Sequence, residues 1–322
     1  MIRRWARSKL LLRWLATLAI LGLVLALVDP FALLSRLTRV PLSLIALALV
    51  VSVVQIVLSA WRWRYTAARL GVGISMDFAV REYYLASFLN QVLPGGVMGD
   101  VNRAWRHSNM HLAAGQPEHS GRLAAIHAVA LERLSGQLVL VPAVLMVFGG
   151  LWASGQFSNP GLPPDASLSP GYWLLVPVLL LAVVWLLHVS GKLTVLARYV
   201  HRLGADLRRA FAGWKNGAVQ LATSVAVLFS YLLVFVLIAL GMGLARDMAT
   251  VALIAALCLV LLLAMVVPIT VSGWGVREGA AALLWPAAGL PAEQGVAISI
   301  GYGALIFLAS LPGALMLLRR AG

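Results

Sequence analysis

Two stretches of the sequence place a proline, a glycine and an arginine at the same offsets within largely apolar surroundings. These residues are Pro94, Gly99 and Arg103 in the first stretch, and Pro268, Gly273 and Arg277 in the second. A proline ends a helix and a glycine lets the backbone bend, so a new helix can begin after each break with unpaired backbone N–H groups. Such a helix start binds anions, and an arginine one turn later adds positive charge. The paired pattern therefore predicts an anion site built from two broken helices.

Glu132 and Arg133 form a second constellation, because they lie well inside an apolar run that extends from 124 to 148. A charge near the bilayer centre costs about 2.5 to 3.5 kcal/mol on insertion scales, so each side chain needs a partner or a wet cavity. Neighbouring residues on a helix point about 100° apart, and we therefore expect these partners elsewhere in the chain. The candidate partners are Arg277 with Glu278, and Asp100 with Arg103. A structural ion pair and a substrate-binding role both fit this pattern.

The elements that carry these residues belong in a membrane. Of the 322 residues, 61% are apolar and 11% are charged, which is less than half of the roughly 25% charge of soluble domains. Seven apolar runs reach the roughly 20 residues that a bilayer crossing needs. They are Leu10 to Val28, Pro41 to Ala60, Ala124 to Phe148, Tyr172 to Ser190, Gly217 to Gly243, Met248 to Val267 and Gln294 to Leu318. The sequence predicts an all-α integral membrane protein, one polytopic domain over residues 1–322 with about seven to eight transmembrane helices.

The basic residues indicate how the chain is oriented. The net charge is +14, and the bases lie between apolar runs, which favours anionic lipid over nucleic acid as a partner. Arg and Lys residues collect before the first apolar run, after the second and after the fourth. Those after the second run are Arg62, Arg64 and Arg69, whereas the segment 149–171 contains no Arg or Lys. The N-terminus is therefore predicted to be cytoplasmic. Residues of about 195–215 repeat apolar side chains at helical spacing opposite basic ones, which predicts a cytoplasmic interfacial helix.

Other functional classes find little support in the sequence. The single cysteine, Cys258, excludes a disulfide framework and any CxxC site. The histidines lack the spacing of a zinc site, so no metal and no cofactor is expected. Several aromatic residues near span ends predict an interfacial aromatic belt. They are Trp61, Trp63, Tyr83, Tyr84 and Trp105.

The two broken segments, about 81–106 and about 267–285, are too polar for plain spans and too apolar for ordinary loops. Irregular backbone at membrane depth survives only where protein buries it or where it lines a watery cavity. We therefore predict re-entrant or discontinuous helices, in a possible internal repeat. A crossing by the second segment would also bring the last arginines to the cytoplasmic side. The alternative is a pair of cytoplasmic loops in which Gly and Pro only turn the chain.

Three ordered motifs resemble one family. They are Asn90-Gln91-Val92-Leu93-Pro94-Gly95-Gly96-Val97-Met98-Gly99-Asp100-Val101-Asn102-Arg103, then Glu132-Arg133-Leu134-Ser135-Gly136, then Pro268-Ile269-Thr270-Val271-Ser272-Gly273-Trp274-Gly275-Val276-Arg277-Glu278-Gly279. Together they are similar to the flippase-like transmembrane domain of lysylphosphatidylglycerol synthases and its stand-alone relatives, some of them found with hopanoid biosynthesis. The resemblance implies a multi-pass protein of the bacterial inner membrane that moves a lipid between leaflets. The aminoacyl-transferase half is not expected here, so the chain is predicted not to be an enzyme. Trp274-Gly275 departs from the family pattern and leaves the lipid open.

The leading hypothesis is a lipid translocase whose substrate is an anionic phospholipid or an isoprenoid lipid. In it, helix N-termini beyond Gly99 and Gly273, with Arg103 and Arg277, bind the head group, while Glu132 and Glu278 balance charge or carry a proton. The residues predicted to bind the substrate are Asn90, Pro94, Gly95, Gly96, Gly99, Asp100, Arg103, Glu132, Arg133, Ser272, Gly273, Arg277 and Glu278. A non-catalytic membrane subunit of a lipid-biosynthesis complex and, less favoured, a head-group-modifying enzyme are the alternatives. A homo-oligomer is compatible with all three.

Overall fold

The computed structural model describes residues 30–93, 96–113, 118–153, 193–245, 247–266 and 270–318, with individual residues between 15 and 26. Every element in this part of the chain is a helix, as the sequence predicts. The helices are α1 (Pro30–Leu37), α2 (Leu42–Arg69), α3 (Met76–Val92), α4 (Met98–Ala113), α5 (Glu118–Ala153), α6 (Leu193–Phe211), α7 (Trp214–Gly241), α8 (Met248–Ala264), α9 (Val276–Ala287) and α10 (Ala292–Leu318).

Four of these helices, α2, α5, α7 and α10, are long and apolar enough to cross a membrane, and α8 is a shorter apolar helix of 17 residues. They coincide with five of the seven predicted runs. The other two, Leu10 to Val28 and Tyr172 to Ser190, lie largely or wholly outside the described residues, so the total of seven to eight spans stays a prediction. The amphipathic segment predicted at about 195–215 is helical as α6, and its place at a membrane surface stays a prediction.

Local capping starts two of the helices. The Ser75 hydroxyl accepts the backbone N–H of Phe78 at the start of α3, at 3.2 Å. The Asp247 carboxylate accepts the backbone N–H of Thr250 at 2.8 Å at the start of α8. This backbone hydrogen bond, with a second from the Thr250 hydroxyl, lowers the pKa of Asp247. Each cap satisfies an N–H group that the first helical turn leaves without a partner.

Helices α2 and α7 run antiparallel and share a polar seam within an otherwise apolar interface. Val40, two residues before the start of α2, lies against Gly241 at the end of α7, whereas Tyr65 near the other end of α2 donates to Asn216 near the start of α7. Between these ends three hydrogen bonds cross the interface. They are Gln220 to Thr66 at 2.9 Å, Arg62 to Ser224 at 3.0 Å and Ser230 to Gln55 at 3.4 Å.

The two helix breaks meet inside the molecule. The first separates α3 from α4, and the second separates α8 from α9. The Ser272 hydroxyl in the second break donates to the Gln91 side chain at the end of α3, at 2.9 Å. Gly96 in the first break lies so close that a Cβ atom there would be 3.8 Å from the Ser272 Cα. The predicted pairing of the two segments is thus present as a contact, and their depth in a bilayer stays a prediction.

The two helix breaks differ in local structure. Gly99 and Arg103 lie within α4, whereas Gly273 lies in the loop before α9 and Arg277 lies in the first turn of that helix. Gly273 has a φ of 75°, a left-handed conformation that favours glycine. Gly99 is required for another reason, because a Cβ there would lie 2.0 Å from the Ala86 carbonyl oxygen. The matching offsets in the sequence therefore correspond to different local structures.

Candidate functional site

A buried carboxylate, Glu132, joins two arginines from different helices. Its Oε1 accepts from Arg62 Nη2 of α2 at 2.6 Å and from the Tyr83 hydroxyl of α3 at 3.2 Å. Its Oε2 accepts from Arg103 Nη2 of α4 at 2.9 Å. All four side chains are buried. Glu132 therefore holds α2, α3, α4 and α5 around one point, and its charge is compensated by two guanidinium groups.

Arg103 is held by ion pairs at one nitrogen and by two aromatic rings. Its Nη2 also donates to Asp100 Oδ1 at 3.0 Å, one turn earlier on α4. The guanidinium carbon lies 4.6 Å from the ring centre of Trp63 and 4.4 Å from that of Tyr83, which are cation–π distances. Trp63 and Tyr83 are buried, so the predicted interfacial belt is wrong for these two aromatic residues. They cover a charge inside the protein.

Asp100 links this cluster to a third arginine. Its Oδ2 accepts from Arg133 Nη2 of α5 at 2.5 Å and from Asn90 Nδ2 of α3 at 3.1 Å. The Asn90 side-chain oxygen accepts the backbone N–H of Gly99 at 2.7 Å, in the first turn of α4. This N–H group, which the sequence pattern assigns to an anionic ligand, thus already has a partner in the protein.

A cavity of about 570 Å³ opens beside this cluster, where the two breaks meet. Helices α2, α3, α4, α5, α7, α8 and α10 contribute to its walls. Five predicted site residues line it, namely Asn90, Gly96, Asp100, Arg133 and Ser272. Its apolar walls include Val97, Val101 and Ile306. Charged, amide, hydroxyl and aliphatic groups therefore face one space.

Arg277 and Glu278 form a separate cluster. Both side chains are buried, and Arg277 Nη2 donates to Glu278 Oε1 at 2.7 Å. Ser299 of α10 accepts from Arg277 Nε at 2.6 Å and donates to Glu278 Oε1 at 2.7 Å. The other Glu278 oxygen accepts the backbone N–H of Gly275 at 2.7 Å, so it caps α9. The pair compensates its own charges and does not line the cavity.

The comparisons with known proteins decide the family. The family model described as "Lysylphosphatidylglycerol synthase TM region" matches residues 11–313. The chain belongs to this family. No curated protein and no solved structure matches the chain. The match to the lysylphosphatidylglycerol synthase transmembrane family covers almost the whole chain, including both breaks and all the clusters described above.

The structure shows which of the charged residues identified in the sequence pair with one another. Of the two candidate partner pairs for Glu132 and Arg133, Asp100 with Arg103 is confirmed. The other, Arg277 with Glu278, is wrong, because those two residues bind each other. Adjacent residues can pair there because Arg277 lies at a helix start, where its long side chain can turn back to the capping carboxylate.

The remaining predicted site residues are distributed unevenly. Arg103, Glu132, Arg277 and Glu278 are buried without lining the cavity, and Gly99 and Gly273 shape the backbone nearby. Pro94 and Gly95 lie outside the described residues. Within the described ranges, no three His, Cys, Asp or Glu side chains are placed to hold a metal ion.

Sequence reasoning missed Arg62, which it assigned to a cytoplasmic connection after the second span. The structure places Arg62 inside α2, buried and bonded to Glu132. A signal was present, because buried polar residues follow one helical stripe on α2. They are Ser52, Gln55, Ser59, Arg62 and Thr66. A spacing of three and four residues places this stripe on the face that packs against α5 and α7.

Proposed function

We propose that this chain is a lipid translocase, which moves a lipid with a polar head group between the leaflets of the bacterial inner membrane. Membership in the lysylphosphatidylglycerol synthase transmembrane family supports a lipid-related role. The observation that carries the proposal is the cavity of about 570 Å³ at the junction of the two helix breaks. Irregular backbone beside a cavity between two broken helices is typical of a transporter's central site.

The composition of the cavity wall suits an amphipathic substrate. The ion pair of Asp100 and Arg133 offers a polar surface for a head group. Val97 and Val101 line the cavity and are 48% and 56% exposed, respectively, so apolar surface continues outward from the polar wall. A head group can therefore enter the cavity while acyl chains stay against apolar side chains, which avoids the cost of moving a polar group through hydrocarbon.

A head-group-modifying enzyme is less well supported. Transfer chemistry needs a free general base or a metal to activate a nucleophile. Asp100 accepts from two arginines and one asparagine, and Glu132 accepts from two arginines and a tyrosine. Every oxygen of these two carboxylates already accepts a hydrogen bond within the protein, so neither group is free to act on a substrate. These acids thus serve better as anchors than as bases.

Reconstitution into liposomes tests the proposal directly. Vesicles carry fluorescent lipids in both leaflets, and an impermeant reductant quenches only those in the outer leaflet. Vesicles that contain the protein should lose more fluorescence than protein-free vesicles, because translocation brings inner-leaflet lipids to the reductant. Ala130 on α5 is exposed and lines the cavity, so Ala130→Trp should fill the cavity without displacing a buried group and should abolish the exchange. Ala153→Trp, at the far end of the same helix, is the matched control and should exchange at the parental rate. Equal rates for Ala130→Trp and the parent would contradict transport through this cavity, and a membrane subunit without transport activity would show no exchange at all.

A further inference from the structure

The ion cluster beside the cavity carries unequal charge. Three guanidinium groups, those of Arg62, Arg103 and Arg133, share the two carboxylates of Asp100 and Glu132. Within the described part of the chain, this network therefore holds one positive charge in excess. An uncompensated charge away from bulk water is unfavourable, so the network is best completed by one negative charge from a ligand.

Arg133 is where the excess charge reaches the cavity. Its side chain is 45% exposed, whereas those of Arg62 and Arg103 are 5% and 0% exposed. A guanidinium carries five N–H donors, and one nitrogen of Arg133 donates to Asp100. The remaining edge of this planar group can donate two parallel hydrogen bonds, which is the geometry that phosphate oxygens accept.

The cavity offers little to a cationic group. Asp100 is the one carboxylate among the described residues that line it. Its two oxygens already accept from Arg103, Arg133 and Asn90. An ammonium group brought to this wall would also meet the exposed guanidinium of Arg133, and like charges at this range repel.

Apart from Asp100, Arg133 and the largely buried Arg62, the polar wall consists of neutral groups that can donate or accept hydrogen bonds. These side chains include Ser87, Gln91, Gln137, Ser224, Tyr231 and Ser272. Amides and hydroxyls match the hydroxyl groups of a polyol or sugar, since each partner can donate or accept. The wall thus favours a head group that carries hydroxyls beside its single negative charge.

We propose that this cavity binds the phosphodiester of a lipid whose head group bears hydroxyl groups and no ammonium group, with Arg133 as the phosphate ligand. Asp100 positions Arg133, and Arg103 shares that carboxylate so that Arg133 is held without being neutralised. This inference rests on the proposed translocase function. It specifies a monoanionic substrate and excludes lipids that carry an amine.

Binding to the purified protein in detergent micelles tests the assignment without requiring transport. The probes are phosphatidylglycerol, with a hydroxylated monoanionic head group, and phosphatidylethanolamine, which adds an ammonium group to the same phosphodiester. We expect phosphatidylglycerol to bind at least about tenfold more tightly, as one ion pair in a cavity would give. Arg133→Gln should remove this preference, and Arg133→Lys, which keeps the charge without the planar fork, should restore part of it.

Two controls make the outcome decisive. Arg208→Gln removes an exposed arginine of α6 and should leave the preference intact, so an equal loss in this variant would overturn the assignment to Arg133. Unfolding temperatures within a few degrees of the parent show that Arg133→Gln remains folded. Tighter binding of phosphatidylethanolamine, or no dependence on Arg133, would overturn the proposal. Competition by glycerophosphoglycerol or inorganic phosphate at the concentration at which the lipid binds would assign the site to a soluble ligand and would likewise overturn it.

The liposome assay separates failure of this inference from failure of the proposed function. Translocation of an amine-bearing lipid, with no phosphatidylglycerol binding at Arg133, overturns the substrate assignment and leaves the translocase standing. Arg133-dependent binding with no exchange of any lipid overturns the translocase and leaves a lipid-binding site.

Discussion

At the scale of single residues, burial separates the charges that hold the protein together from those that can meet a ligand. Glu132 is buried and accepts from Arg62, Arg103 and Tyr83, whereas Arg133 next to it in sequence is half exposed to the cavity. Consecutive positions on one helix therefore have different roles because they point to different neighbours. The stability of the variants should follow this division.

Glu132→Gln should destabilise the protein by about 3 to 5 kcal/mol, since it leaves two buried guanidinium groups without their shared counter-charge. Arg133→Gln should cost far less, because its side chain reaches the cavity. Thermal unfolding in detergent measures both. Adding Arg62→Gln to Glu132→Gln should recover at least about 1 kcal/mol relative to the sum of the single changes, as expected for residues in direct contact. Strict additivity would contradict the buried pair.

The Arg277 and Glu278 pair should behave as a structural unit. The sequence pattern predicts a ligand-binding role for these residues, yet the structure buries both and satisfies them within the protein. Glu278→Gln should therefore lower the free energy of unfolding by about 3 to 5 kcal/mol. Asp77→Asn, in the exposed pair with Arg81, is the control and should cost about 0 to 1 kcal/mol. Normal stability with lost translocation in Glu278→Gln would restore the ligand-binding interpretation.

At the scale of helices, close backbone approach positions the site as much as the ion pairs do. α4 lies against α3 at Gly99, where the helix touches the Ala86 carbonyl, and this contact brings Asp100 and Arg103 toward Glu132. α6 is attached to α5 by His127, whose Nδ1 lies 2.7 Å from the Asp206 carboxylate. The amphipathic helix is thus connected to the helix that carries Glu132 and Arg133.

Gly99→Ala should separate α3 from α4, because the new methyl group would lie 2.0 Å from the Ala86 oxygen. We expect a loss of at least about 1 to 3 kcal/mol, the usual cost of overpacking. Gly204→Ala on α6 is the matched control: no atom lies within 4 Å of the added methyl group, and alanine favours a helix by about 0.5 to 1 kcal/mol over glycine. Opposite shifts in unfolding temperature would support this interpretation, and two equal shifts would contradict it.

At the scale of the whole molecule, the antiparallel pair of α2 and α7 gives the bundle two distinct ends. Arg69 at the end of α2 donates to the Arg209 carbonyl of α6, so two of the three basic regions lie together at one end. The residues that join α7 to α8 lie at the other end, near the start of α2. This arrangement is coherent with basic residues collecting on the cytoplasmic side.

Cysteine labelling in spheroplasts should reproduce this polarity. Gly73→Cys, in the exposed turn after α2, should react only with a membrane-permeant maleimide, because we predict that this end faces the cytoplasm. Met248→Cys, at an 81% exposed position at the start of α8, should react with an impermeant one. The native Cys258 is fully buried and should add no background in the folded protein. The reverse labelling pattern would invert the orientation.

Much of this protein was determined by the sequence alone, since local composition and periodicity act over short distances. Apolar runs predicted the long helices, Gly and Pro marked both breaks, and the ordered motifs indicated the family that the family model then confirmed. Only the tertiary structure decided which charges meet. Arg62 and Glu132 are 70 residues apart, and Ser272 and Gln91 are 181 apart. Ion pairs and cavities depend on how helices pack. The spacing of residues within one helix does not specify which distant residue lies opposite. The excess charge at Arg133 is therefore visible only in the tertiary structure.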